Sequence, residues 1–223
     1  MRQVQHRSVY WPPMNPQPGL RERKKQRTRE TIARAARELF ALRGYQATTL
    51  PEIAEAADVS TRTIFAYFPS KEDILFHEFA LMKDALARAL DERPSGEDAL
   101  ETVRQFILSM HEEEESEVDE QLRMCVESDE MLRSHLRARI AQLEELIAPA
   151  IAKDLNAGPD DLRPKVVAAS LTAAFNVLVE RGRSAGVKKK KSGAELAAQL
   201  DPVITFLRGG LDAFKEPPAT RRR

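Results

Sequence analysis

The sequence predicts an all-α protein: an N-terminal three-helix domain built round a helix-turn-helix, followed by a larger helical domain. Three observations lead there. Only 9 Gly are present, and most of the 13 Pro sit at the ends or between periodic segments. Apolar residues recur at helical spacing, without the long alternations of strands. Between residues 49 and 68 two short helical patterns are joined by a turn, behind a longer helix that can brace them. With 42% hydrophobic residues, the chain can bury a proper core.

Residues 1–20 read as a disordered lead of Gln, Arg and Pro, with Trp11 isolated among prolines. Residues 21–29 carry six positive charges and run into a helix with Ile32, Ala35, Ala36, Leu39 and Phe40 on one face. Gly44 closes it as a left-handed cap. Thr49 and Glu52 have the spacing of a capping box, and Pro51 falls in the first turn, where its missing N–H costs nothing. Ile53, Ala54 and Ala57 form the apolar face of this second helix, and Ala56 with Ala54 and Ala57 allows close helix approach. Ser60 caps a third helix over 61–68, with Ile64 and Phe68 facing one way and Thr61, Arg62 and Phe65 another. After Pro69, the pair Ser70 and Asp73 starts a long fourth helix over 71–91.

The turn Pro94-Ser95-Gly96 leads into helical patterns near 97–115, 117–128, 130–156, 161–185 and 193–215, with a kink expected at Pro149. The four lysines at 188–191 read as an exposed loop and 217–223 as a tail. The domains are then 21–73 for the helix-turn-helix unit and 74–216 for a larger helical unit, to which the family resemblance set out below gives ligand sensing and dimerisation.

Formal net charge is zero, yet the first 73 residues carry 13 Lys+Arg against 8 Asp+Glu, and the remainder 22 against 27. The basic excess lies with the helix-turn-helix, as a DNA-binding surface requires. The single Cys125 excludes an intrachain disulfide and reads either as a redox sensor or as a small buried hydrophobe. No apolar run approaches the roughly 18 residues of a membrane span, and no signal-peptide core is present, which predicts a cytoplasmic, nucleoid-associated protein. His6, His77, His111 and His135 lack paired-ligand spacing, and the acidic run near 112–120 reads as a solvated face, so neither a metal nor another cofactor is expected. No nucleophile or acid–base pair supports an enzyme.

A helix-turn-helix sets its second helix in the major groove while the first braces it. The neighbouring residues narrow this further. The stretch 28–75, TRETIARAARELFALRGYQATTLPEIAEAADVSTRTIFAYFPSKEDIL, closely resembles the DNA-binding domain of the tetracycline-repressor (TetR) family. It contains that family's first-helix pattern, Gly44-Tyr45 ahead of Thr48-Thr49, the core Ile53-Ala54-x-x-Ala57-x-Val59-Ser60, and the ending Tyr67-Phe68-x-x-Lys71-Glu72. The resemblance implies a regulator, in most cases a repressor, that reads a palindromic operator on double-stranded DNA as a homodimer and responds to a small-molecule effector.

Carried over residue by residue, the resemblance puts Thr49 near a phosphate, Thr61, Arg62, Thr63 and Phe65 towards the bases, and Tyr67 and Lys71 on the DNA backbone. Ser60, Arg27 and Thr28 complete the expected surface, the last two as part of the basic first helix, whose charges oppose its own dipole and call for an anionic partner. Arg62 either donates a bidentate pair to guanine or clamps a phosphate, since this position is often small or proline in the family. Phe65 and Tyr67 are open between DNA contact and packing.

In the second half, Val103, Phe106, Ile107, Met110, Met124, Leu143, Ile147 and Phe175 are the expected lining of an effector pocket, and are equally good core residues. Their lack of charge points to an apolar or amphipathic ligand. This half is also similar to the C-terminal domain of mycofactocin-type regulators, which implies acyl-coenzyme A as a candidate effector. The last two helices carry wide apolar faces, and by the resemblance Val167, Leu171, Ala174, Leu178, Val203, Phe206 and Leu207 form the dimer interface. The competing reading is a helical adaptor of the same fold that binds protein and not DNA; strongly salt-dependent binding to promoter DNA separates the two.

Overall fold

The computed structural model describes residues 19–110, 116–184 and 193–215, with side chains described outside 179–184 and 213–215. Residues 1–18 of the expected lead, the lysine run at 188–191, the tail at 217–223 and residues 112–115 of the acidic run fall outside the described residues.

Eleven helices and no strand are seen among the described residues. The basic run enters α1 (Leu20–Arg43) without a break, and α1 buries Ile32, Ala33, Ala35, Ala36 and Phe40. Gly44 follows with its N–H on the Phe40 carbonyl and φ 82°, as glycine permits, but its ψ of 159° is extended, so the cap is not the left-handed helical turn expected. The capping box at Thr49 opens α2 (Leu50–Ala56), and Ser60 caps α3 (Thr61–Tyr67) by accepting from the Thr63 N–H. Between them Asp58 takes φ 53°, a left-handed conformation that Asp tolerates, and the Val59 N–H turns back onto the Ala54 carbonyl at 2.9 Å. Ala54 and Ala57 are buried at this corner, whereas Ala56 faces solvent.

The long fourth helix is two helices, α4 (Lys71–Leu75) and α5 (His77–Asp91), bent at Phe76. Phe76 is buried and the Arg139 guanidinium stacks over its ring at 4.5 Å, so side-chain packing from a distant helix fixes a bend that the local sequence does not encode. Downstream lie α6 (Ala99–Ser109), α7 (Glu117–Ser128), α8 (Glu130–Ala141), α9 (Glu144–Leu155), α10 (Arg163–Ser184) and α11 (Gly193–Lys215). The pattern over 130–156 is also split, at Gln142-Leu143, where the amides of Leu143 and Glu145 bond three residues back. The break therefore comes upstream of Pro149, which lies inside α9. The proline ring presses on the carbonyl four residues earlier, Glu145, in the first turn of α9, where the chain has already left the regular ladder.

Two buried clusters organise these helices. One joins α1 to α4, from Ile32 to Phe76, and takes in Leu122 of α7 and Leu132 of α8. The other gathers α5, α6, α9, α10 and α11 round Leu100, Ile147, Ile151, Ala168 and Leu200. Helix α7 thus packs on the first helix of the N-terminal unit, although it lies far downstream in sequence. Polar ties follow the same route: Arg37 bonds Glu78 at 3.0 Å and also Asp119, while Gln46 donates to Asp129 at 2.8 Å. Burial opposes ionisation of Asp119, but hydrogen bonds from Ser116 and the Arg37 charge outweigh it and hold the carboxyl below its usual range.

Candidate DNA-binding surface

Helix α3 is seven residues long and divides cleanly. Ile64 is fully buried and Phe68 nearly so, which pins one face to α1 and α2. Arg62, Phe65 and Ala66 are exposed, with Thr61 and Thr63 half-exposed beside them. Phe65 is 55% exposed, so the packing reading of this aromatic does not hold. The Arg62 side chain has no hydrogen-bond or ion-pair partner among the described residues, and neither does that of Arg27 on α1. A solvated guanidinium at the centre of a short helix's outer face is free to donate to a base edge or a phosphate. Ala66, four residues on from Arg62, was not singled out from the sequence; its helical position relative to Arg62 is the signal that finds it. A methyl side chain there lets the helix backbone come close to a groove floor.

The polar residues round this face are braced from within. The Thr49 hydroxyl accepts from the Glu52 amide at 3.4 Å and donates to the Glu52 carboxylate at 2.7 Å, and the Thr49 N–H donates to the same carboxylate at 2.8 Å. These bonds hold the Glu52 carboxyl below its usual range. Thr49 is exposed, but its hydroxyl proton is engaged until Glu52 releases it. Ser60 Oγ and Thr63 Oγ1 lie 2.7 Å apart, so the cap and the third residue of α3 steady one another.

Lys71 was expected on the DNA backbone. Its Nζ instead donates to the carbonyls of Tyr45 and Thr48, each at 2.9 Å, and sits 4.1 Å from the Tyr45 ring centroid. It ties the turn before α2 to α4, because an ammonium half-withdrawn from water takes the nearest carbonyl oxygens. Tyr67 is half-buried against the N-terminal core, and its carbonyl accepts from Arg29 at 2.7 Å. Arg29 also lies 5.2 Å from the Phe68 ring, so the last charge of the basic run locks α1 to the end of α3. The preceding charges, Arg21, Arg23, Lys24, Lys25 and Arg27, are exposed, and α1 has no side-chain cap at its start. Thr28 is half-buried and its hydroxyl returns to the Lys24 carbonyl at 3.1 Å.

Five of the residues expected to line an effector pocket are brought together in one packed core, and none of the eight lines the cleft between the N-terminal unit and the C-terminal helices. Val103, Leu143 and Ile147 are packed in the C-terminal core, with Phe106 and Ile107 at its edge and Phe175 half-buried on α10. Met110 and Met124 are exposed, Met124 on the helix that packs against α1. Of the expected interface residues, Val167, Leu171 and Leu207 are buried within the protomer, while Leu178 and Val203 pack against the same core and Ala174 is half-buried. Phe206 is 78% exposed. On α10, Val166 and Val177 are each 58% exposed, with the exposed Ala173 between them at helical spacing. Apolar residues lie on both sides of α10 and α11, and most of those expected at the interface face the protomer's own core.

These features define a helix-turn-helix DNA-binding protein. The family model described as bacterial regulatory proteins, tetR family, matches residues 32–78, and the MftR C-terminal domain model matches 97–212. TcmR of Streptomyces glaucescens, an HTH-type transcriptional regulator, is 35% identical over 174 residues, which span 72% of this chain and 75% of that protein. A TetR-family regulator structure from Mesorhizobium loti superposes with a TM-score of 0.59 at 18% identity, covering 84% of this chain and 98% of that one. Thermus thermophilus FadR, a TetR-family repressor solved with lauroyl-CoA, gives a TM-score of 0.51 at 26% identity over 87% and 98% of the two chains. The chain belongs to the TetR family of transcriptional regulators, and the adaptor reading is not favoured. No helix among the described residues is long and apolar enough to cross a membrane.

Proposed function

We propose that the chain is an effector-responsive repressor that grips a palindromic operator as a homodimer, acting in the cytoplasm and carrying no enzymatic activity. The observation that carries this is the outer face of α3, where Arg62 and Phe65 stand exposed on a helix whose inner face is pinned by Ile64 and Phe68. Thr61, Arg62, Thr63 and Phe65 read bases. Arg27 and its exposed basic neighbours on α1 neutralise phosphates, with Thr28, Thr49, Ser60 and Tyr67 at the rim. Lys71 acts chiefly by bracing the turn.

Two copies pair through the outer faces of α10 and α11, with Phe206, Val166 and Val177 at the contact. This doubles the recognised sequence and gives it two-fold symmetry. The effector is an apolar or amphipathic small molecule held by the C-terminal domain. An acyl-coenzyme A is the leading candidate, supported by the match to the MftR C-terminal domain and by the lauroyl-CoA bound to T. thermophilus FadR. Binding shifts the population towards a spacing of the two recognition helices that no longer fits the operator.

Selection of DNA from a random pool by the full chain tests the reading. Retained sequences should share an inverted repeat, bound with steep salt dependence, and lauroyl-CoA should release them. Retention without symmetry, or none at all, would overturn it.

A further inference from the structure

A cleft of about 380 Å³ lies where the N-terminal unit meets the C-terminal helices, away from the residues assigned to the effector. Its walls come from the end of α3, from α4 and α5, and from the break between α8 and α9. The lining carries three cations, Arg29, Lys83 and Arg139, and one carboxylate, Asp73. Both Asp73 oxygens are already engaged: one accepts from Arg139 at 2.9 Å and the other from Ser70 at 2.7 Å. Lys83 has no hydrogen-bond or ion-pair partner among the described residues.

His77 supplies a second, independent sign. It lines the cleft and is 5% exposed, yet its Nε2 is buried with no hydrogen-bond partner. A buried polar atom left unpaired costs roughly 1 to 3 kcal/mol, and such a group normally has a water, an ion or a ligand to meet. A neutral imidazole can carry its proton on Nε2 and donate it to an anion. The rest of the wall is aromatic: Phe68 meets His77 edge-on at 5.4 Å, Phe76 lies under Arg139, and Phe79 is half-buried nearby.

From this juxtaposition we infer that the junction cleft is a second small-molecule site, selective for an organic anion with a flat aromatic body. Its acidic group is received by Lys83 and His77, and its ring lies against the phenylalanines. The size is ample for a bicyclic carboxylate. Because the ligand would touch the end of the recognition helix and the α8–α9 break together, it is placed to couple to operator binding, and any change it makes in operator affinity is returned as the same factor in its own.

The probe is 1-naphthoate, followed by fluorescence polarisation and calorimetry with the full chain. We expect saturable binding at one site per chain. Lys83→Gln should weaken it by about tenfold or more, the scale of one charge-assisted contact. Ala80→Trp fills the cleft from an exposed position and should abolish binding, and the neutral 1-naphthamide should bind at least about tenfold more weakly than the carboxylate. Phe106→Ala, in the C-terminal domain, should leave naphthoate affinity unchanged.

Absence of saturable binding would overturn the inference, as would equal affinity in Lys83→Gln or for the amide. Should Lys83→Gln weaken DNA binding while naphthoate fails to bind the native chain, the cleft cations serve a DNA phosphate and the inference falls. Circular dichroism confirms that the variants fold, and Lys83→Gln alone decides if Ala80→Trp does not. Naphthoate binding is read without DNA, so failure to retain an operator would count against the regulator reading alone.

Discussion

The pair α2–α3 and the pair α10–α11 are both two-helix units that bury one face and present another, and they differ in what they present. On α3 the outer face offers a guanidinium, hydroxyls and a lone aromatic ring, groups that water satisfies until a polyanion replaces it. On α10 and α11 the outer face offers Val166, Val177 and Phe206, which water does not satisfy at all. The first surface gains little from a second copy of itself and the second gains little from DNA. Exposure alone therefore assigns neither surface; the chemistry of the exposed groups does.

The comparison can be broken at its buried side first. Ile64→Ala empties a fully buried site between α3 and its supports and should cost about 2 to 5 kcal/mol of stability, read as a lower midpoint in urea. Loss of less than about 1 kcal/mol would mean that α3 is not pinned by its inner face. The apolar surface comes next: Phe206→Asp should convert a dimer to monomers in analytical ultracentrifugation and weaken operator binding by about 2 kcal/mol or more, with a lower melting temperature that no longer depends on protein concentration. A variant that stays dimeric would place the interface elsewhere.

Arg62→Ala sharpens the polar surface. If Arg62 reads a base, the loss should be about 1 to 3 kcal/mol on the preferred operator and small on operators altered at that base pair. Uniform weakening across all operators assigns it to a phosphate.

The smallest effect is one of pH. Burial, followed by the nearby Arg29 and Arg37 charges and against the pull of Glu30, holds the His77 pKa below its ordinary value. Below that ordinary value, near 6.5, the unfolded chain binds a proton that the folded chain refuses, so stability falls as pH drops. The loss continues until the folded chain also takes up the proton. His77→Phe should flatten that part of the stability curve in denaturant titrations between about pH 7 and 5. An unchanged slope would show that His77 does not titrate against folding.

The N-terminal unit was almost fully legible in the sequence, and the reason is local. Caps at Thr49, Ser60 and Ser70 bond residues three positions away, and the inward Ile64 and Phe68 follow from helical spacing within a single short element. Side-chain commitments were less visible. Lys71 looked free because its acceptors, the carbonyls of Tyr45 and Thr48, lie more than twenty residues upstream. Tyr67 and Arg29 form a tie across 38 positions that no local pattern announces.

The sequence by itself determined that the chain is helical, where most helices begin and end, and which short segment forms the helix-turn-helix, because these depend on contacts within a few residues. Only the tertiary structure decided the bend at Phe76, the break before α9, the docking of α7 onto α1, and which side of α10 and α11 faces outward. Each of these turns on which distant surface an apolar or charged face meets. A helix with apolar residues on two sides has no local energy difference between them until its neighbours bury one.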